Sequence, residues 1–220
     1  MADPARTPIP RRDDAVPSEV QASRRVAAAA RRVVGALVTT RAPTETLEDA
    51  ACELEALAAM LEPTAVASRY DGTNGLSIAP GGEPTVLERH PFLGASNPLA
   101  PPMILEPTEE GTVGVVTLDS RHEGVPGCVH GGWISAFFDQ VLGVAAGLVA
   151  GRPAMTGTLM IRFRHPTPIR TELRFAATAH PAGERTVRAT ATLSAADEVT
   201  ADAEATFVVT RPTASATGRG

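Results

Sequence analysis

Between Gly131 and Gly151 the chain carries one ionisable side chain, Asp139, set among Trp133, Ile134, Phe137, Phe138, Val141 and Leu142. A helix that is apolar all round is expected to be buried. A carboxylate inside such a helix is costly unless it is paired, protonated or used. Asp139 is therefore either a group that does chemistry or a structural acid that caps a neighbouring loop or bonds a strand hydroxyl. Directly before the helix stand His130, Gly131 and Gly132. Two residues without side chains thus occupy the first turn, where N–H groups have no partner within the helix. Such a terminus attracts negative charge, and an oxyanion developing on a carbonyl is the most useful charge to place there. Asp139 follows His130 by nine positions and Gly132 by seven, about two turns along the helix. It is expected to reach the same pocket, where burial would raise its pKa and suit it to act as a base near neutral pH.

Composition narrows the alternatives. The chain has 220 residues, 43% of them hydrophobic, with a formal net charge of −5. That is enough apolar material for a core and suits one domain or one plus an extension. All 20 basic residues are Arg. Without Lys there is no Schiff-base chemistry, no Walker phosphate loop and no Tyr-Lys dehydrogenase pair. The acidic balance argues against a duplex-binding surface. Cys52 and Cys128 lie 76 positions apart with no CxxC pair and no His at metal spacing, so no metal site is expected. They read as reduced thiols in a cytoplasmic protein without a secretory leader. The Arg-rich start resembles an organellar transit peptide, but Asp13, Asp14 and Glu19 interrupt it. A membrane span over 131–151 would place Asp139 mid-bilayer at a cost of about 2.5–3.5 kcal/mol. The strands that follow need this helix as their core, so no span is expected.

Those neighbouring elements position the candidate site. Residues 1–17 hold four prolines among charges and read as a disordered tail. Over 18–62 two amphipathic patterns suggest a helical hairpin. The first has Ser18 as N-cap and the stripe Val26, Ala29, Ala30, Val33, Val34 and Leu37; the second runs from Thr44 to Leu61 behind Pro43. It reads as a packing or oligomerisation appendage. Residues 63–100 form a Gly- and Pro-rich linker with a turn at Asp71 to Gly75. From 101 to 212 the pattern gives one or two strands with a turn at Glu109-Glu110-Gly111, the apolar helix, and four alternating segments. These are Met155–Arg164, Glu172–Ala179, Thr186–Ala195 and Val199–Thr210, with His180 to Gly183 as turn material, and 213–220 is a tail. The order implies an α+β fold with an antiparallel sheet wrapped on the helix. Abundant Ala on the inward strand positions lets helix and sheet approach.

His130-Gly131-Gly132 followed by Asp139 resembles the signature of the hot-dog-fold acyl-CoA thioesterases, in the branch of the phenylacetate-pathway and thioesterase superfamily members. The flanks agree: Gly127-Cys128-Val129 before, and Met155 to Phe163 running into His165-Pro166-Thr167-Pro168 after. The resemblance covers about Pro101 to Thr210. It implies a hot-dog fold preceded here by an N-terminal helical extension, and hydrolysis of acyl-CoA to free acid and CoA. By that resemblance the Gly131 N–H polarises the thioester carbonyl, and Asp139 acts as general base or nucleophile from the facing side. His130 orders the turn. A Ser or Thr on the next strand, usually from the other subunit, holds the water or carboxylate. Thr156 is the first choice and Thr158 the reserve, both expected on one strand face. Gly132, Trp133 and Phe138 are expected at the substrate, with Phe137 adding an apolar wall. Where several members place Asn or Gln before the motif, this loop reads Asp119 to Gly124, so His122 is either a substitute donor or a surface histidine. Arg162, Arg164 and Arg170 are either CoA-phosphate ligands or a solvated face. No metal or cofactor is implied, since one or two fixed N–H donors and an oriented water suffice for a thioester.

Two other readings compete. Ala95-Ser96-Asn97-Pro98-Leu99-Ala100 echoes the Asp-x-Asn-Pro-Leu-His stretch of hot-dog hydratases and dehydratases, but both catalytic positions are Ala. A non-catalytic acyl-CoA or lipid-binding module would use the same cavity without needing Asp139. The resemblance further implies a homodimer or homotetramer that pairs open sheet edges, an acyl-CoA or acyl-carrier-protein substrate and a place in fatty acid metabolism.

Overall fold

Proline sets where the two N-terminal helices begin. α1 (Ser18–Thr39) and α2 (Thr44–Leu61) follow Pro17 and Pro43, whose backbones are extended and whose carbonyls accept from Gln21 and Leu47. Pro17, not the expected Ser18, is the N-cap; Ser18 is already helical and its hydroxyl donates to Glu19. The computed structural model describes residues 17–71 and 87–210. The tails expected over 1–17 and 213–220 and the turn at 71–75 fall largely or wholly outside them.

The alternating segments form the strands β1 (Ile104–Pro107), β2 (Thr112–Thr117), β3 (Ala154–Phe163), β4 (Glu172–Pro181), β5 (Thr186–Ala195) and β6 (Glu198–Val209), with α3 (Gly131–Ala150) between β2 and β3. All neighbours pair antiparallel in the order β1-β2-β4-β5-β6-β3. β4 runs through His180 and Pro181, two residues read from sequence as turn. Because β3 lies at the far edge from β1 and β2, α3 must cross the sheet face to connect them. Inward positions such as Leu173, Phe175, Leu193, Ala203, Ala205 and Phe207 are buried beneath it, and the small volume of the alanines brings helix and sheet together. α3 ends at Gly151, whose φ of 66° is the left-handed conformation that suits glycine at a helix terminus.

α3 is long and apolar enough to cross a membrane by length and composition, yet it is not enclosed on all sides as expected. The sheet covers Ile134, Phe137, Phe138, Val141, Leu142 and Val144. The opposite face, with Gly132, Asp139, Leu148 and Val149, is exposed. One six-stranded sheet has only one face to offer a helix, which leaves the other side of α3 open.

Residues 87–100, read as linker, pack with 101–103 as part of the domain. Ala100 and Met103 are buried, and the Phe92 ring packs on Trp133 and Phe137 with centroids 6.4 and 5.5 Å away. α1 docks on this segment through polar groups. Arg24 pairs with Glu88, which also accepts from Ser96, and Arg31 donates to the carbonyls of Asn97 and Ala95. Ala27 is the one buried residue of α1, and α2 buries none.

Candidate active site

The start of α3 leaves one N–H without an acceptor. His130 is the N-cap, and its Nδ1 accepts from Gly132 N–H at 2.9 Å. Its carbonyl accepts from Trp133 N–H at 3.0 Å and Ile134 N–H at 3.4 Å. Among the described residues the Gly131 N–H has no acceptor. It points outward at the positive end of the helix dipole. A Cβ placed on Gly131 would stand 3.3 Å from the Phe163 ring, so this half-exposed aromatic flanks the free N–H.

The loops on either side hold this turn in place. Val129 N–H donates to the carbonyl of Thr167 in the Pro-x-Pro bend, and the Thr167 hydroxyl donates to Thr200 in the interior. The two flanks read as separate motif pieces are thus in direct contact. On the other side His130 N–H donates to the carbonyl of His122 at 2.8 Å. His122 is buried, which overturns the surface reading: its ring stands edge-on to Trp133 at 4.8 Å and its Nδ1 accepts from Asp119 N–H. Burial lowers its pKa, with Asp119 opposing the shift. Arg121 bonds the Asp119 carboxylate through Nε and Nη2 and holds that carboxyl at about 2. Its Nη1 reaches the carbonyl of Arg31 on α1 at 3.3 Å.

Asp139 lies on the open face of α3, not in the interior. Its Oδ1 accepts from the Thr156 hydroxyl at 2.7 Å, within the same chain rather than from a second subunit. The strand-hydroxyl partner considered for a structural acid and the threonine implied by the resemblance are therefore one residue. Thr156 and Thr158 do not share a strand face. The register with β6 shifts at Gly157, so Thr156 is opposite inward Phe207 and Thr158 is opposite outward Thr206. Such a bulge reverses which face the following side chain takes. Arg162 follows Thr158 on the outer face and approaches Asp202 at 3.6 Å, with Arg164 bonded to the same carboxylate. Arg170 sits at a left-handed turn, its N–H donating to Leu118.

The aromatic residues divide. Trp133 is half-buried between Phe92 and His122. Phe137 and Phe138 are fully buried against Phe175 and are core side chains here, not an open acyl wall. A groove of about 630 Å³ lies on the outer sheet face between Glu109, Arg174, Thr190 and Glu204, away from α3. Among the described residues no group of three or more His, Cys, Asp or Glu side chains gathers as a metal site. Phe92, Phe163 and the Arg121 bridge were not singled out from sequence. A large aromatic at 92 in an otherwise Gly- and Pro-rich stretch, and a lone Gly157 inside a strand pattern, were the available signals.

Comparison with known proteins agrees with the fold. The thioesterase superfamily model matches residues 126–202. A crystal structure described as a thioesterase superfamily protein is 33% identical, with a TM-score of 0.71, covering 84% of this chain and 94% of that one. The PaaI protein from the phenylacetic acid degradation operon of E. coli is 18% identical, with a TM-score of 0.44 over 48% of this chain and 82% of its own. A Streptococcus mutans protein described as bound to acetyl CoA is 19% identical, with a TM-score of 0.44 over 49% of this chain and 86% of its own. No curated protein matches. With its six-stranded antiparallel sheet on a central helix and a 33% identical relative covering 84% of its length, the chain belongs to the thioesterase superfamily of hot-dog proteins.

Proposed function

We propose that the protein hydrolyses acyl-CoA thioesters to the free acid and CoA. The observation that carries this reading is the acceptor-free Gly131 N–H at the start of α3, with the Asp139–Thr156 pair two turns further along the same helix. A thioester carbonyl oxygen placed on the Gly131 N–H gains a donor and the helix dipole as it becomes an oxyanion. His130 and the His122 loop fix that donor. Asp139 takes a proton from water as the water oxygen bonds to the carbonyl carbon; the carbon–sulfur bond then breaks and the CoA thiolate leaves, to be protonated. Thr156 aims the carboxylate.

Gly131 and Asp139 are eight residues apart on one helix, a rise of about 12 Å. Within one chain the donor and the carboxylate would have to reach one carbonyl from points along the same helix, whereas two facing copies bring a donor and a carboxylate onto it from opposite sides. The reading therefore takes Gly131 from one copy and Asp139 from the facing copy. Support comes from β3, an edge strand along which Met155, Met160 and Phe163 are exposed, and from the open face of α3. Pairing two copies would cover both. The homodimer is thus part of the proposal, as is a cytoplasmic setting, where an exposed thiol such as Cys52 stays reduced.

The test is release of free thiol from acyl-CoAs of two to sixteen carbons and from phenylacetyl- and benzoyl-CoA. Turnover of at least one class is expected. No release from any, while the Trp133 fluorescence still responds to the esters, would replace hydrolysis with binding alone.

A further inference from the structure

We propose that the N-terminal helices form an exchange interface with a second copy of the chain, the acidic α2 of each copy lying on the basic α1 of the other. The stripe that made α1 recognisable in sequence is not the face that docks. α1 meets its own domain through Arg24, Ala27 and Arg31, with Gly35 beside the Arg121 side chain. Its apolar stripe is turned away, with Val26 51% and Leu37 45% exposed. α2 has no buried residue, and Leu47, Leu54, Leu57 and Leu61 are all exposed along one face. Most helical stability in proteins comes from packing of an amphipathic face, so α2 needs a surface.

Charge and length select that surface. At 100° per residue, the α2 stripe has Glu48 and Glu55 along one edge and Asp49 and Glu53 along the other, and the helix contains no basic residue. Arg25 and Arg32 stand exposed on α1 beside its stripe, and Glu19 is the sole acid of that helix. Two α2 helices packed together would set carboxylates against carboxylates. A membrane surface favours a cationic polar face, which α2 lacks. The 18 residues of α2 and 22 of α1 span about 27 and 33 Å, so either stripe can cover the other. Within one chain the connection from Thr40 to Pro43 is extended at both ends, and α2 buries no residue against α1. Reciprocal exchange around a two-fold axis satisfies both stripes with one type of contact, closes the assembly and pairs the two charge sets.

The full-length chain tests this with Ala29→Cys and Leu54→Cys, one thiol near the middle of each stripe, in a background where both native cysteines, Cys52 and Cys128, are replaced by Ser. A short bismaleimide is added and the products are separated under denaturing conditions, with the two single-cysteine chains setting the background. The expected main product is a covalent dimer. Arg25→Glu with Arg32→Glu should lower its yield at least tenfold, and adding Glu48→Arg with Glu55→Arg to the same chain should restore it. A cross-linked product of single-chain mass would show α2 closing on its own α1, and two thiols that stay unlinked would show that the stripes do not meet; either result overturns the proposal. Hydrolytic activity does not enter the readout, so this inference stands or falls apart from the proposed reaction.

Discussion

Gly131→Pro would remove the proposed oxyanion donor while leaving the helix that carries it. Residue 131 is the first of α3, the position at which proline is favoured because its missing N–H has no helical partner. His130, at φ −62° and ψ 132°, already has the extended backbone that a residue before proline prefers. The deleted N–H has no acceptor among the described residues, so no hydrogen bond of the folded chain is lost. The neighbour of the new ring is Phe163, 3.3 Å from the Cβ position and 54% exposed, hence free to turn aside. Stability should change little. Loss of one oxyanion donor costs about 2.7–4 kcal/mol, or about 10²–10³ in kcat. Gly131→Ala is the control, since it adds the same Cβ and keeps the N–H. Steady-state thiol release and a thermal melt on the three proteins give the answer. A folded Gly131→Pro protein with wild-type turnover would refute the reasoning. An equal loss in Gly131→Ala would move the effect from the N–H to crowding of Phe163.

Other consequences are as direct. Thr156→Val removes the hydroxyl that bonds Asp139 and should lower kcat by about tenfold, the low end for a hydrogen bond to a charged group because the site is open. Thr158→Val, on the outer face, should leave kcat unchanged by the same assay. Asp119 is held at about 2 by its hydrogen bonds from Arg121, below its ordinary 3.8. Its contribution to stability is therefore complete above about pH 4 and is lost as the pH falls toward 2; Asp119→Asn should flatten that part of an acid denaturation curve. If each site draws Gly131 and Asp139 from different copies, co-refolding equal amounts of inactive Gly131→Pro and Asp139→Asn chains should restore about a quarter of wild-type activity, since half of random pairs hold one intact site of two. No recovery would place both groups in one chain.

The sheet and α3 were legible because each strand alternates cleanly and because a near charge-free run leaves few alternatives to a core helix. The β5 and α2 boundaries agree with the sequence reading, as periodicity and proline placement decide them, while α1 begins one residue earlier because Pro17 takes the N-cap from Ser18. What periodicity does not carry is which face is covered. The α1 stripe reads as a buried face, but Arg24 and Arg31 reach carboxylate and carbonyl partners on segment 87–97 and take that role from it. In the same way Asp139 reads as buried because its neighbours are apolar, whereas a single sheet leaves its side of α3 open. The bulge at Gly157 is one residue of backbone irregularity, yet it moves Thr158 and Arg162 to the far side of the sheet from Thr156. His122 was ambiguous between donor and surface residue; its partners, Asp119 N–H and the Trp133 ring, are fixed by the loop fold and not by spacing.

The central claim is that Asp139 drives water onto a thioester. Its most direct test is thiol release by Asp139→Asn beside wild type, on whichever acyl-CoA the wild type turns over fastest. The exposed position of Asp139 means that the substitution should leave the thermal melt in place while kcat falls by at least a hundredfold, about 2.7 kcal/mol of transition-state stabilisation. An Asp139→Asn protein that releases thiol at the wild-type rate would contradict the account.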